Sequence, residues 1–366
     1  MDTVKELPAG RFDIASIYFP AEPGPGAITD ATLARLNGLR DLTKFEGGAA
    51  EVAGPGPEVF RTTPKLQELR LNNARQIKDE HLAPLGALKE LKELAIGGAQ
   101  FTGAALQHLA ACKKLETLDI ALSLTAEQAG TLHTLFPALE SLHLGPSSLT
   151  KETLSVVGKF TWLETLDLSG NSELTDAMLA PLSGLTGLRN LEIGNCGKLR
   201  GTGLAAFAGS GDLRRINLSL GAARATGAAL PVIASTFPKL EDLTIQMRDA
   251  KEEDFKSLGA HRSLTRLKLY ASAVPDNALA SIAAMPKLQT LDIGGDTHTA
   301  AGLDHLLQSK SLIHLTLDRG KNMDASVVPV LKKFKNLKSL DIKGVAAKAA
   351  ADEIRKALPG CKVSAQ

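Results

Sequence analysis

One six-residue frame, L-x-x-L-x-[LI], recurs along this chain, and no other feature restricts the fold as strongly. Its first leucines are Leu66, Leu91, Leu115, Leu139, Leu163, Leu188, Leu213, Leu240, Leu264, Leu288, Leu312 and Leu337, with Ile216 once in place of the second leucine. Eleven gaps join these twelve starts; all but one are 24 or 25 residues, the exception being 27 between Leu213 and Leu240. Weaker copies precede them at Ile14-x-x-Ile17-x-Phe19 and Leu39-x-x-Leu42, and a partial one follows at Cys361-x-Val363. A fixed period of this length marks stacked supersecondary units, none of which can bury its apolar face alone.

The frame itself reads as a short strand whose alternate side chains point inward. After each strand come a small residue, then "LTD" or a variant, then apolar residues at helical spacing, such as Leu179, Leu182 and Leu185. Thr29, Thr102, Thr125, Thr150, Thr175 and Thr226 fall where a helix N-cap is wanted, because a hydroxyl can accept from the orphan N–H groups. Pro64, Pro137, Pro238, Pro286 and Pro359 stand two residues before a strand, where the helix should already have ended. Phe136, Phe160, Phe237 and Phe334 each lie three residues before a strand start and read as a stacked core column, which Cys112 joins as a small buried hydrophobe. Cys361 is expected to be buried at the first-leucine position of a capping strand.

The unit resembles the leucine-rich repeat, closest to the cysteine-containing and GALA-like bacterial types. "LRNLEIGNCGKLRGTGLAAFAG" keeps Cys196 at that family's cysteine position, where other repeats carry Ala74, Ala99, Ser123, Ser147 or Asn171. The resemblance covers about residues 12–363. It implies an α/β fold: a leucine-rich-repeat solenoid, or horseshoe, of about 14 repeats, with a parallel sheet on the concave face and helices on the convex face. One continuous domain is expected: an N-terminal cap over 1–65 with two degenerate repeats, twelve regular repeats over 66–344, and a C-terminal capping helix and strand over 345–366. "PAEPGPGAITD" and "GGAAEVAGPGPEVFRTTP" are expected to form irregular loops on one rim of the N-terminal cap.

Charge and composition exclude several classes. The net charge is +2, from 42 basic and 40 acidic residues, so no global field favours nucleic acid or an anionic membrane. No run of 18 apolar residues is present, and the start "MDTVKELPAGRF" lacks the apolar core of a signal peptide. The compartment is left open, cytoplasmic or exported with a signal already removed. Three widely spaced cysteines make neither a disulfide framework nor a metal pair. HExxH, GxxxxGK[ST], GxSxG and a strand-following GxGxxG are all missing, and His298 and His305 are not at metal spacing.

With the first leucine as position one, positions two, three, five and seven project from the strand face. Position five carries Asp119, His143, Asp167 and Glu192 on consecutive strands, and Glu116, Glu140 and Glu164 stand at position two. The sign then reverses at Arg189, Arg214, Arg215, Arg266 and Lys268, which suggests a dipolar concave face. Histidine with carboxylates could hold a divalent cation; a solvated strand face is the plainer reading, and contact with a basic partner surface is a third. Trp162, one residue before its strand, stands in a polar column and reads either as an exposed anchor or as a ring folded over a neighbouring turn. Tyr270, at position seven beside Arg266 and Lys268, makes a small cationic-aromatic patch.

These features point to a non-enzymatic, monomeric scaffold that grips another protein with its concave face, using Asp119, His143, Trp162, Glu164, Asp167, Glu192, Arg214, Arg215, Arg266, Lys268 and Tyr270. No catalytic residue, metal or cofactor is expected, and neither nucleic acid nor a membrane span. Two other readings are a substrate-recruiting adaptor, for which only "ELPAG" faintly resembles an F-box, and carbohydrate or cell-wall recognition, which 4% aromatic residues disfavour.

Overall fold

The computed structural model describes residues 14–19, 28–146, 149–219, 225–248, 250–271, 274–295, 299–318, 325–343 and 345–365. The chain forms two compact units, Met1–Asn171 and Ser172–Gln366. Residues 20–27 of the first Pro/Gly-rich stretch, Ser147 and His298 lie outside the described residues.

In the first unit the strands are β1 (Ser16–Tyr18), β2 (Lys44–Gly48), β3 (Glu68–Asn72), β4 (Glu93–Thr102), β5 (Thr117–Ser123), β6 (Ser141–His143) and β7 (Thr165–Asp167). Each pairs in parallel with the next. The second unit holds β8 (Asn190–Glu192), β9 (Arg215–Leu218), β10 (Ala225–Thr226), β11 (Asp242–Arg248), β12 (Arg266–Ala271), β13 (Thr290–Gly294), β14 (His314–Asp318), β15 (Ser339–Lys343) and β16 (Lys362–Ala365). They also pair in chain order, except that β9 passes directly to β11 while the two-residue β10 lies beside β11.

Equivalent positions align from strand to strand. Leu69, Leu94, Leu118, Leu142 and Leu166 form one row of position-four side chains; Ile216, Leu243, Leu267, Leu291, Leu315, Leu340 and Val363 form the corresponding row in the second unit. These rows are buried, as are the leucines and isoleucines at positions one and six of the regular repeats. Each such side chain contributes roughly 1.5–3 kcal/mol on leaving water, and it does so only against the repeats beside it. Each unit is thus an α/β leucine-rich-repeat solenoid.

The register corrects two of the weak frames. Ile17 pairs with Phe45 and Phe45 with Leu69, so Phe45 is position four and the second repeat starts at Leu42, not Leu39. The corrected gap from Leu42 to Leu66 is 24 residues. Gly47 then falls at position six, where the core would ordinarily hold a leucine; Ile28 and Phe19 occupy the space that a Cβ there would need. At the other end Val363 pairs with Leu340, which places Cys361 at position two. It is half-buried, not the core residue its expected position implied.

The connecting segments are a mixture of α and tighter 3₁₀ turns. Asp79–Ala87 and Asp176–Gly184 are 3₁₀ helices with Pro84 and Pro181 inside them; each proline removes an N–H that an α-helical ladder would use. The stretch after β2 is not an irregular rim loop. It contains the 3₁₀ helix Gly56–Thr62, whose Phe60 is buried edge-on against Phe45. Thr29, Thr125 and Thr150 cap helices by accepting from the N–H of Thr32, Gln128 and Thr153, and Thr299 caps another. Thr102 and Thr226 do not: they end the ten-residue β4 and the two-residue β10, and in each a glycine follows; Thr175 stands at an N-cap without a side-chain cap bond.

The aspartate of "LTD" has a structural task. The Asp30 carboxylate accepts from the N–H groups of Gly54 and Gly56 at 3.0 and 2.7 Å. Asp176 accepts from Arg200 N–H at 2.7 Å, Gly203 N–H at 2.6 Å and the Thr202 hydroxyl at 3.3 Å. Asp79 holds the Thr102 N–H and hydroxyl, and Asp276 holds Thr299 likewise. Each carboxylate ties its own repeat to the next. Gly203 is required here because a Cβ would lie 2.5 Å from the Asp176 carbonyl oxygen.

The column three residues before each regular strand is buried, and three of its polar members pass hydrogen bonds to the preceding repeat, while Thr63 bonds within its own turn to Phe60 O. Cys112 Sγ donates to Leu85 O at 3.4 Å, Ser210 Oγ to Leu185 O at 2.6 Å, and His261 Nε2 to Phe237 O at 3.0 Å. Burial pushes the Cys112 thiol up to about 11, so it stays protonated and inert. Ser309 breaks the rule. Its buried hydroxyl has no partner, because Ser311 Oγ takes the carbonyl of Met285, and it borders a cavity of about 90 Å³ lined by Leu306, Leu312 and Phe334.

Two outcomes follow. Asp176→Ala should cost roughly 2–3 kcal/mol in urea unfolding, since it strands three donors. Ser309→Met, which repeats the choice made at Met285, should raise stability by about 1–2 kcal/mol by filling the cavity and removing the orphan hydroxyl; calorimetry of the two chains measures it.

Candidate functional site

The strand faces carry the expected side chains, and the alignment sets which of them meet. In the first unit Asp119, His143 and Asp167 stand at position five of β5, β6 and β7. His143 Nδ1 lies 2.6 Å from Asp119 Oδ1, and its Nε2 lies 3.9 Å from Asp167 Oδ2. Asp167 Oδ1 accepts from Ser169 N–H at 2.7 Å, which fixes the carboxylate at the strand end. The imidazole is the more enclosed partner at 21% side-chain exposure, against 56% for Asp119. Burial works against its protonation, but the Asp119 hydrogen bond and the charges of both aspartates outweigh it, and the His143 pKa is raised. Glu164 stands half-buried on the same unit's β7 side.

Trp162 is placed elsewhere. Its ring stacks on Phe160 at 4.9 Å and meets His133 at 4.1 Å, and its Nε1 is buried without a partner. The indole therefore covers the core column and the helix Ala126–Leu135, the ring-over-turn arrangement of the two considered.

In the second unit the bases are balanced by carboxylates. Arg214 reaches Glu241 at 2.8 Å; Arg215 and Arg266 share Asp242 at 3.5 and 3.1 Å; Lys268 faces Asp292 at 3.8 Å. Glu192 is half-buried on β8, aligned with Asn217. Tyr270 lies over Gly294, where a Cβ would come within 2.6 Å of its ring, so the small position-seven residue of one strand seats the large one of the last. The basic half of the expected dipole is thus a set of ion pairs. Glu241 and Asp242 complete it, and sequence reasoning passed over them, although they occupy the same positions two and three one period later.

Among the described residues no group of three or more His, Cys, Asp and Glu could hold a metal ion, and no helix is long and apolar enough to cross a membrane.

No protein-family model matches the chain, and no curated protein matches it. Solved structures do. A leucine-rich-repeat protein of Leptospira interrogans is similar at 20% identity and a TM-score of 0.49, covering 89% of this chain and 90% of that one. An internalin of Listeria monocytogenes is similar at 19% identity and a TM-score of 0.47, covering 79% and 84%. The leucine-rich-repeat ectodomain of a plant membrane receptor kinase from Arabidopsis thaliana is similar at 18% identity and a TM-score of 0.46, covering 91% of this chain and 40% of that one.

Two histidines should titrate on opposite sides of the ordinary value of about 6.5. His143 is raised; its contribution to stability is present below about 6.5 and is lost as pH rises through its folded-state pKa. His261 is lowered, by burial first and against its bond to Phe237. It is held neutral by accepting from Leu264 N–H, so stability falls as pH drops below about 6.5 toward its folded-state value. Imidazole NMR titration of the native chain and of His143→Gln checks both signs.

Proposed function

We propose that the chain is a non-catalytic binding scaffold that grips another protein on its strand faces. The observation that carries the reading is the Asp119–His143–Asp167 row. These groups share no core task, stand on three adjacent strands, and present charge at fixed spacing from a rigid sheet. Adjacent strands lie about 4.8 Å apart, so a partner with cationic side chains meets a ruled surface, not a flexible loop. Electrostatic complementarity of this kind sets encounter rate and register.

Around the row we place Glu164, with Trp162 holding the neighbouring turn rigid. In the second unit Glu192, Arg214, Arg215, Arg266, Lys268 and Tyr270 are proposed contacts, the bases exchanging their intramolecular carboxylates for those of the partner. We read the repeats as the cysteine-containing, GALA-like type, supported by Cys196 buried with its Sγ 3.5 Å from Gly194 O and by the "LTD" aspartate at Asp176. The caps are proposed as 1–65 and 345–366 around regular repeats over 66–344. Helix Val345–Ala357 supports the second, because its Ala351 and Ile354 are buried in the last repeats.

Affinity capture with the whole chain as bait supplies the partner, and titration with charge-reversed variants then tests the surface. Asp119→Lys should weaken binding by roughly tenfold or more while leaving the unfolding midpoint within a few degrees, since a carboxylate that is more than half exposed contributes little to stability. Unchanged affinity would count against the row.

A further inference from the structure

Charges on the rim where the chain enters its strands are neutralised from repeat to repeat. One residue before position one, Lys65 pairs with Asp41 at 2.5 Å, Lys114 with Glu90 at 2.6 Å and Lys239 with Asp212 at 2.6 Å. At position two, Lys92 pairs with Glu116 and Arg214 with Glu241, both at 2.8 Å. Each pair spans one period: the lysines before position one are answered by an acid in the preceding repeat, and the bases at position two by an acid in the next.

The rule stops at the last four strands. From two residues before position one to two after it, β13–β16 are entered by "PKLQT", "KSLIH", "KNLKS" and "LPGCK". This rim contains Lys287, Lys310, Lys335, Lys338 and Lys362 and no carboxylate, and all five lysines are exposed. Four described acids nearby are paired with other bases: Asp304 with Lys333, Asp318 with Lys343, Asp352 with Arg355 and Glu353 with Lys332. Lys335 donates to the last carbonyl of the capping helix, Ala357 O, at 2.7 Å. The imbalance is visible in the chain as a whole. Residues 310–366 hold twelve Lys and Arg against five Asp and Glu, a net of +7 hidden inside a total of +2.

We propose that this rim docks an acidic segment of a partner protein, lying extended across the entrances of β13–β16. Four strands at about 4.8 Å spacing span roughly 15 Å, the length of about five extended residues. The charges are lysine ammonium groups, compact point charges that suit single carboxylates. The rim has no arginine fork for bidentate phosphate recognition and no exposed aromatic ring on which a base could stack. A single row also matches a linear chain better than the broad polybasic patch that a lipid surface recruits. This surface has the opposite sign to the Asp119–His143–Asp167 row and lies in the other unit, so the two proposals stand or fall separately.

The test uses the full chain and a fluorescent oligoglutamate of about twelve residues, with anisotropy read at low and physiological salt. The expected result is salt-sensitive binding that K310E/K338E/K362E weakens at least tenfold, while K151E/K159E, on exposed lysines of the first unit, binds as the native chain does. The neutral variant K310Q/K338Q/K362Q should fall between, and keeps the test valid if the reversed chain folds poorly. Absence of binding at low salt, or equal binding by the triple variants, overturns the proposal. So does tighter binding of single-stranded DNA of equal charge, which would make the rim a nucleic-acid surface, or of phosphatidylserine vesicles, which would make it a membrane contact.

Discussion

A repeat of 24 or 25 residues cannot close a hydrophobic core by itself, and the structure follows from that shortage. A single strand and a short turn of helix enclose too little space to shield a leucine on all sides. The leucines at positions one, four and six become buried only because the same positions of the adjacent repeats lie against them. The period must therefore be held closely, since each strand needs the same register as its neighbours. Where the period lengthens to 27 after Leu213, the extra length lies in the segment that contains β10, outside the main strand row.

The polar groups obey the same constraint. Between stacked repeats a backbone N–H with no partner costs as much as a lost hydrogen bond, and the "LTD" aspartates answer these groups one period ahead. The residues three before each strand work in the other direction, through Cys112, Ser210 and His261 to the preceding repeat. Carboxylate staple and backward hydrogen bond are polar counterparts of the leucine stack: each belongs to a pair of repeats and to no single one. This explains why acids that look catalytic in a one-repeat reading are structural. Asp176 has its two oxygens engaged with the next repeat and has nothing left with which to act on a substrate.

The fold was legible because its signal is repeated twelve times; a single L-x-x-L-x-[LI] would have said little. Legibility failed where repetition thins. At the N-terminus the frame beginning at Leu39 was plausible by spelling, yet Leu42 with Phe45 matches the period, and Gly47 hid the match because Ile28 fills the place of its missing side chain. At the C-terminus Cys361 lost its core position to the same ambiguity. Threonine at the helix entrance predicted a cap, but where glycine follows, as at Thr102 and Thr226, the backbone extends as strand instead. The row Asp119, His143 and Asp167 could be assembled from spacing alone. Trp162 could not be placed, since its position relative to Phe160 and His133 depends on side-chain packing that no spacing reports.

Pairing between repeats also decides which charges a partner can use. A base already held by a carboxylate must give up one ion pair to make another, so the exchange gains little unless the new contact is better desolvated. Arg215 and Arg266 illustrate this, because both depend on Asp242, which is only 17% exposed; removing either base from it would leave an enclosed carboxylate less compensated. Asp119 differs: it is more than half exposed and its partner is a histidine, so its charge balance shifts with pH and not only with contact. Net charge conceals these distinctions. A chain at +2 can carry a balanced middle, an acidic row gated by an imidazole, and lysines that no carboxylate answers among the described residues. Where the one-period pairing rule is kept and where it lapses sets which charges are left to meet the proposed partners.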